Sequence, residues 1–263
     1  MRNLDYHSIF TSILVNWLTD RLNIAHRGAS AVAPANTLAA FERAIDLGAH
    51  AIELDVHLSA DRVPVVIHDA SVDATTDGSG RVSEMDLSQL KDLDAGSSFH
   101  ASFAGERIPT LEDVLEAVGR RVLLNVELKS LSVQDDGLES TAIPLVRRHG
   151  LSHRVLFSSF NPFSLRRAKR LAPDIPVGLL YSPDLPLPLR HAWLAPLFQH
   201  EARHPEHTMV DARYMAWAQR RGLRVNVWTV DDPEEMRRLI DLGVHGIITN
   251  VPDVCRTVLE PAQ

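Results

Sequence analysis

"IELDVHLSADRVPVVIHD", residues 52–69, holds two apolar runs separated by a short polar break. Glu53 and Asp55 sit inside the first run, and His68-Asp69 closes the second. A parallel return would need a crossover of about a dozen residues. The second run therefore comes back antiparallel, as the return arm of a hairpin. With Ala60 and Asp61 as a two-residue loop, His68 is expected directly opposite Glu53, on the face that carries Glu53 and Asp55.

Outward from this hairpin the chain alternates. Strand-like runs occur at "LNIAHRG", "HAIELDVHL", "RVLLNVELK", "RVLFSSF", "IPVGLLYS", "HTMVD", "LRVNVWTV" and "HGIITN". Helix-patterned stretches such as "NTLAAFERAIDLGA", "TLEDVLEAVG" and "DPEEMRRLIDLG" lie between most of them, several ending in the glycine that closes helices. Eight strands with intervening helices and no break in composition predict a closed (β/α)8 TIM-type barrel over residues 23–263. An open doubly wound sheet is the rival, but no glycine-rich dinucleotide fingerprint is present. The return arm "VPVVIH" falls outside the count of eight. Residues 70–109 are turn-rich and read as a small lobe inserted after the His68-Asp69 strand, and the proline-rich residues 182–206 read as an irregular excursion. His191, His200, His204 and His207 lie in or beside that excursion with no zinc-ligand spacing.

Residues 1–22 are expected to form an amphipathic helix, with Ile9, Phe10, Ile13, Leu14, Trp17 and Leu18 on one face. The apolar run is shorter than the roughly 18 residues of a spanning helix and has no small-residue cleavage site. A cover for the barrel floor is the preferred reading; a membrane-surface or dimer-forming helix is the alternative. A net charge of −7 over 263 residues argues against a nucleic-acid surface. The single Cys255 excludes an internal disulfide framework and suits a reducing, cytoplasmic setting. Oligomeric state is not readable.

Four strands carry polar residues at alternating positions: His26 with Gly28; Glu53, Asp55 and His57; Asn125, Glu127 and Lys129; Asn226 with Trp228. One face of every barrel strand points inward, and sites form at the strands' C-terminal ends. Glu53, Asp55 and Glu127 then converge, and three carboxylates share a dry site only if a cation neutralises them. All-oxygen ligation suits Mg2+ or Ca2+ rather than zinc. Taken singly, each residue has a plainer reading; Glu127 and Lys129, for example, can simply pair.

"AHRGASAVAPANTLAAFERAIDLGAHAIELDVHLSADRVPVVIHD", followed by "TTDGSG", "IPTLEDVL", "LNVELKS", "VNVWTVDD" and "GIITNVPD", closely resembles the glycerophosphodiester phosphodiesterases from residue 23 to near the C-terminus. The resemblance implies a metal-dependent barrel with an inserted lobe that releases glycerol 3-phosphate and an alcohol. It implies Glu53, Asp55 and Glu127 as metal ligands, His26 and His68 as acid and base, and Arg27 and Lys129 as phosphate holders. Trp228 is either an apolar wall for the glycerol carbons or barrel filling. Two departures stand out: Ala35 in "PANT", where the family has Glu, and Ala74 in "DATT", where it has Arg. The sequence leaves open which histidine takes the proton, whether lysophospholipids are substrates, and whether the departures leave a weakened phosphate-binding barrel. A metal-dependent sugar isomerase is a further rival.

Overall fold

β1 (Leu22–His26) begins the barrel and stops abruptly at a turn in which Arg27 and Gly28 both take left-handed backbone angles, φ 57° and 85°. A Cβ on Gly28 would come within 2.7 Å of Ala40, so only glycine fits where this turn meets the first helix. That helix, α1 (Leu38–Asp46), is capped by Thr37, whose hydroxyl accepts the Ala40 N–H. The structure is a computed structural model and describes Trp17, residues 21–130 and residues 132–260. Most of the helix expected over residues 1–22 lies outside the described residues.

The chain continues through β2 (Ala51–Leu58), β3 (Pro64–Val66), α2 (Leu87–Asp92), α3 (Leu111–Ala117), β4 (Leu123–Leu128), α4 (Leu138–Arg148), β5 (Val155–Ser159), α5 (Pro162–Leu171) and β6 (Val177–Tyr181). Then come α6 (Leu187–Arg190), β7 (Ala202–Pro205), α7 (Ala212–Gln219), β8 (Arg224–Val227), α8 (Pro233–Leu242), β9 (Gly246–Thr249) and α9 (Pro252–Leu259). The sheet order β1-β9-β8-β7-β6-β5-β4-β2, with β1 pairing back onto β2, closes eight parallel strands into the expected TIM-type barrel. Besides its pairing with β4, β2 is long enough to serve two partners in succession: Ala51–Glu53 pair with β1, and Val56–Leu58 pair with the antiparallel β3 beyond the rim.

Local chemistry explains the punctuation. α5 and α8 each start with an Asx cap followed by proline at the first helical position: Asn161-Pro162 and Asp232-Pro233. α8 ends on Gly243 at φ 89°. Outward-facing strand residues such as Ile52, Leu54, Val56, Leu124, Val126 and Phe157 pack under the helices as the main core. At the barrel floor Trp17, 6% exposed, packs with Leu22, Ile24, Ala51, Leu123, Leu156, Ala202 and Ile248, and its indole N–H donates to Arg154 O at 3.1 Å. Within residues 70–109, Val72, Val82, Leu90, Ala95 and Ile108 cluster with Val65 and Ile67 in a small core apart from the main one.

Two expectations are corrected. "HTMVD" is not the seventh strand: His207–Met209 form a 3-10 turn, and the strand is Ala202–Pro205, inside the stretch read as irregular. Its Arg203 and His204 hide it in an apolar-pattern search, although both are buried. The hairpin loop has three residues, Ala60, Asp61 and Arg62, because Ser59 pairs with Val63 and Arg62 adopts φ 66°. The ladder Val56↔Val66, continued by Ile67 N–H to Asp55 O at 3.0 Å, puts His68 opposite Leu54 rather than Glu53. A straight continuation would turn His68 away from the interior; the chain instead bends after Val66 and brings it back.

Candidate active site

The register sets the site. His26 lies beside Glu53, Glu53 beside Asn125, and Asp55 beside Glu127, all near the C-terminal ends of neighbouring strands. A cavity of about 140 Å³ opens there, lined by His26, Arg27, Glu53, His68, Glu127, Lys129 and Trp228 among others. Seven of the eight residues singled out in the sequence therefore face one space. The eighth, Asp55, is 1% exposed and is held from several sides.

Asp55 takes Asn36 Nδ2–H at Oδ2 (2.8 Å), the Arg27 Nε at the same oxygen (3.2 Å), and the Lys129 ammonium near Oδ1 (2.9 Å). Asn36 also accepts the Asp55 backbone N–H at 3.3 Å, from a left-handed backbone of φ 62°. Thr37 is the helix cap, and its neighbour Asn36 is a carboxylate clamp. Lys129 reaches Glu127 as well, at 2.7 Å. Glu53 accepts the Arg27 backbone N–H at 3.1 Å.

The electrostatics follow from burial. Desolvation, then Asp55 and Glu127, push the Glu53 carboxyl well above the carboxylate range. Desolvation raises Glu127 to about 7 against the pull of Lys129. For Asp55 burial acts upward, but Lys129 and Arg27 together outweigh it and hold it far below the usual value. Burial acts against the Lys129 charge, and Asp55 and Glu127 overcome it, so the ammonium stays firmly protonated. Three carboxylates face two cations, and burial with their mutual repulsion holds Glu53 and Glu127 above the usual carboxylate range.

The donor set fits a hard divalent cation. Carboxylate oxygens of Glu53, Asp55 and Glu127 lie within 4.8 Å of one another, all are oxygen donors, and Asp55 Oδ1, although in ion-pair contact, is buried without an aligned hydrogen bond. Asn125 and Ser158, which line the same cavity, also carry buried polar atoms with no partner among the described residues.

The two histidines differ in their support. His26 Nδ1 lies 2.7 Å from Asn250 Oδ1, and Asn250 in turn donates Nδ2–H to Asp231 at 2.7 Å. Burial and then Arg27 lower its pKa to about 4. His68 Nδ1 lies 2.7 Å from Asp69 Oδ1 on the rim; burial lowers its pKa, and Asp55 opposes that shift. His57 points its Nε2 at the His68 carbonyl, 3.0 Å away, and buttresses the bend outside the cavity lining. Trp228 donates its indole N–H to His204 O at 2.7 Å and stands edge-on to Phe160, with ring centroids 5.4 Å apart. Asn250, Asp231 and Phe160 were not singled out beforehand; Asp231 and Asn250 sit in "VDD" and "ITN", and only the fold brings them behind His26. Ala35 lines a separate cavity of about 60 Å³ with Arg27, Asn36, His68, Asp69 and Thr75, the neighbour of Ala74.

A (β/α)8 barrel with carboxylates, two cations and paired histidines at its C-terminal rim defines a class suited to cleaving anionic esters. Residues 26–254 match the profile of the glycerophosphoryl diester phosphodiesterase family. The chain belongs to that family, and its enzyme class is phosphoric diester hydrolase acting on glycerophosphodiesters. It is 44% identical over 233 residues to a glycerophosphodiester phosphodiesterase of Caldanaerobacter subterraneus, covering 88% of this chain and 95% of that one. A Bacillus subtilis glycerophosphodiester phosphodiesterase is 31% identical, with 90% and 86% covered. An Oleispira antarctica phosphodiesterase, solved with the product sn-glycerol-3-phosphate, superposes with TM-score 0.84 at 31% identity, over 94% of this chain and 99% of that one. No helix of the described residues is long and apolar enough to cross a membrane.

Proposed function

We propose that the protein hydrolyses glycerophosphodiesters to sn-glycerol 3-phosphate and an alcohol, with Mg2+ or Ca2+ held by Glu53, Asp55 and Glu127. The observation that carries this reading is the convergence of those three buried carboxylates beside Lys129 and Arg27, under a cavity rimmed by His26 and His68. When bound, the cation supplies positive charge that offsets the anionic ester and its more highly charged transition state.

The rest of the work falls to side chains. Arg27 presents a planar fork to the phosphate and Lys129 a point charge. His26 is the base in this reading. Asn250 gives its amide protons to Asp231, so its Oδ1 accepts from His26 Nδ1–H and the Nε2 lone pair is left for the nucleophile's proton. Its low pKa keeps that lone pair free at neutral pH. His68 is the acid in this reading: burial lowers its pKa, and the Asp55 charge and the Asp69 carboxylate beside Nδ1 work against that shift, toward the imidazolium that gives Nε2–H to the leaving oxygen. Trp228 and Phe160 form the apolar wall for the glycerol carbons.

The test is a coupled assay for glycerol 3-phosphate with glycerophosphocholine or glycerophosphoethanolamine, with and without EDTA. Chelator-sensitive product is expected, and His26→Ala and His68→Ala should each lower the rate by about two to four decades. Phosphate binding without turnover would instead mark a barrel weakened at Ala35 and Ala74, and turnover indifferent to both histidine substitutions would remove the proton-transfer roles.

A further inference from the structure

β7 divides two environments. His204 points into the barrel, where its Nε2 lies 3.0 Å from Asn226 Nδ2, and the preceding Arg203 points out through the wall. There a second cavity of about 850 Å³ runs between β6, α7 and the segment containing α6. Arg203 is only 7% exposed, yet no carboxylate among the described residues lies within ion-pairing distance. The nearby acid, Glu201, is committed to Lys169 at 2.8 Å. Arg203 Nε donates to His200 Nε2 at 2.9 Å, and its guanidinium carbon lies 5.7 Å from the Tyr181 ring and 5.5 Å from the Trp217 ring. Arg221 covers the same indole at 4.9 Å, and the cavity lining contains no acidic residue.

A buried guanidinium keeps its charge, and aromatic faces offset only part of the lost hydration. The aromatic face continues to the mouth of the cavity, where Trp193 is 62% exposed and stacks on His191 with centroids 6.1 Å apart. A large indole left in the open beside clustered cations fits a ligand that brings both a ring and a negative charge.

We infer that this cavity is a second binding site, separate from the barrel mouth, for a small organic anion carrying a planar aromatic ring. The anionic group sits on Arg203 and Arg221, and the ring lies against Trp193 and Trp217.

Titration calorimetry of the whole protein with naphthalene-1-sulfonate tests this. One site is expected, weakened about tenfold or more by Arg203→Gln, since a charge-assisted hydrogen bond is lost. Trp193→Ala should weaken it several-fold, and hydrolytic turnover of both variants should match the parent. Trp193→Ala removes an exposed side chain, so it decides the matter if Arg203→Gln fails to fold. His26→Ala should bind the probe as the parent does. Absence of binding, binding indifferent to both groove substitutions, or binding lost in His26→Ala would overturn the inference. So would sedimentation showing a dimer that excludes the probe and dissociates on Trp193→Ala, because the aromatic mouth would then be a contact between copies.

Discussion

Lys129, its side chain only 14% exposed, bridges Asp55 and Glu127 at 2.9 and 2.7 Å. Removing it by Lys129→Met strands two buried carboxylates, which by analogy with broken buried pairs costs about 3–5 kcal/mol. Proton uptake by Glu127, already near neutrality at about 7, brings the loss toward the lower end. Denaturant unfolding should show this loss in EDTA and a large part of it recovered with millimolar Mg2+ or Ca2+. Equal stability with and without the cation would separate the acidic cluster from metal binding. Asn250 acts one step back. Asn250→Leu keeps the bulk but removes the Oδ1 that lies 2.7 Å from His26 Nδ1, and losing such an outer partner costs about 10- to 100-fold in rate. Initial-rate kinetics should place the loss in kcat, with KM little changed; an effect confined to KM would mean that Asn250 shapes substrate binding and not the imidazole. The first rank of such residues is legible in sequence because charge in an apolar strand is anomalous one residue at a time. Asn250 and Asp231 are not, because a polar pair after a strand looks like any surface loop until the barrel closes behind it.

The β2–β3 hairpin depends on its third loop residue. Arg62 turns left-handed, donates Nη2–H to Asp136 O at 2.9 Å, and sets the register in which the bend after Val66 delivers His68 to the rim. If the loop keeps three residues once Arg62 is deleted, Val63 is drawn into it, and the resulting one-residue slip exchanges the faces of everything that follows. The variant should keep its far-UV dichroism, since β3 is an appendage to the closed barrel, while turnover falls by about the two to four decades expected for His68→Ala. Retained turnover would show that the rim bend, and not the register, positions His68. The hairpin itself is legible from the short polar break, but its register is not, because two- and three-residue loops share the same composition here and differ only in the backbone angle of an arginine. β7 escaped notice for the opposite reason: Arg203 and His204 give a buried strand a polar signature, one facing a ring-lined cavity outside the wall and one facing the barrel interior.

At the scale of the molecule, the barrel was legible because strand and helix patterns alternate without a break in composition, and only closure satisfies eight parallel strands with helices on one side. The closed barrel separates a stabilising floor from a working rim. Trp17 fills the floor, and Trp17→Ala should cost about 3–5 kcal/mol in denaturant unfolding while kcat stays at the parental value; a fall in kcat would mean that the floor and rim are mechanically linked. Midway up the interior, His204 gives the whole fold an acid sensitivity. It is fully buried, and desolvation lowers its pKa from 6.5 to about 3. The folded protein thus holds His204 neutral at pH values where the unfolded chain takes up a proton. Stability from this residue is intact above about pH 6.5 and falls as pH drops toward 3, at most ~1.4 kcal/mol per pH unit. His204→Gln keeps an acceptor for Asn226 Nδ2–H and abolishes the titration. Urea unfolding at pH 7 and pH 4.5 should show the parent losing about 2–3 kcal/mol more than the variant over that interval. A parent-minus-variant difference that does not move with pH would mean that the His204 imidazole takes up its proton inside the barrel over the same pH range as in the unfolded chain, so that burial does not hold it neutral.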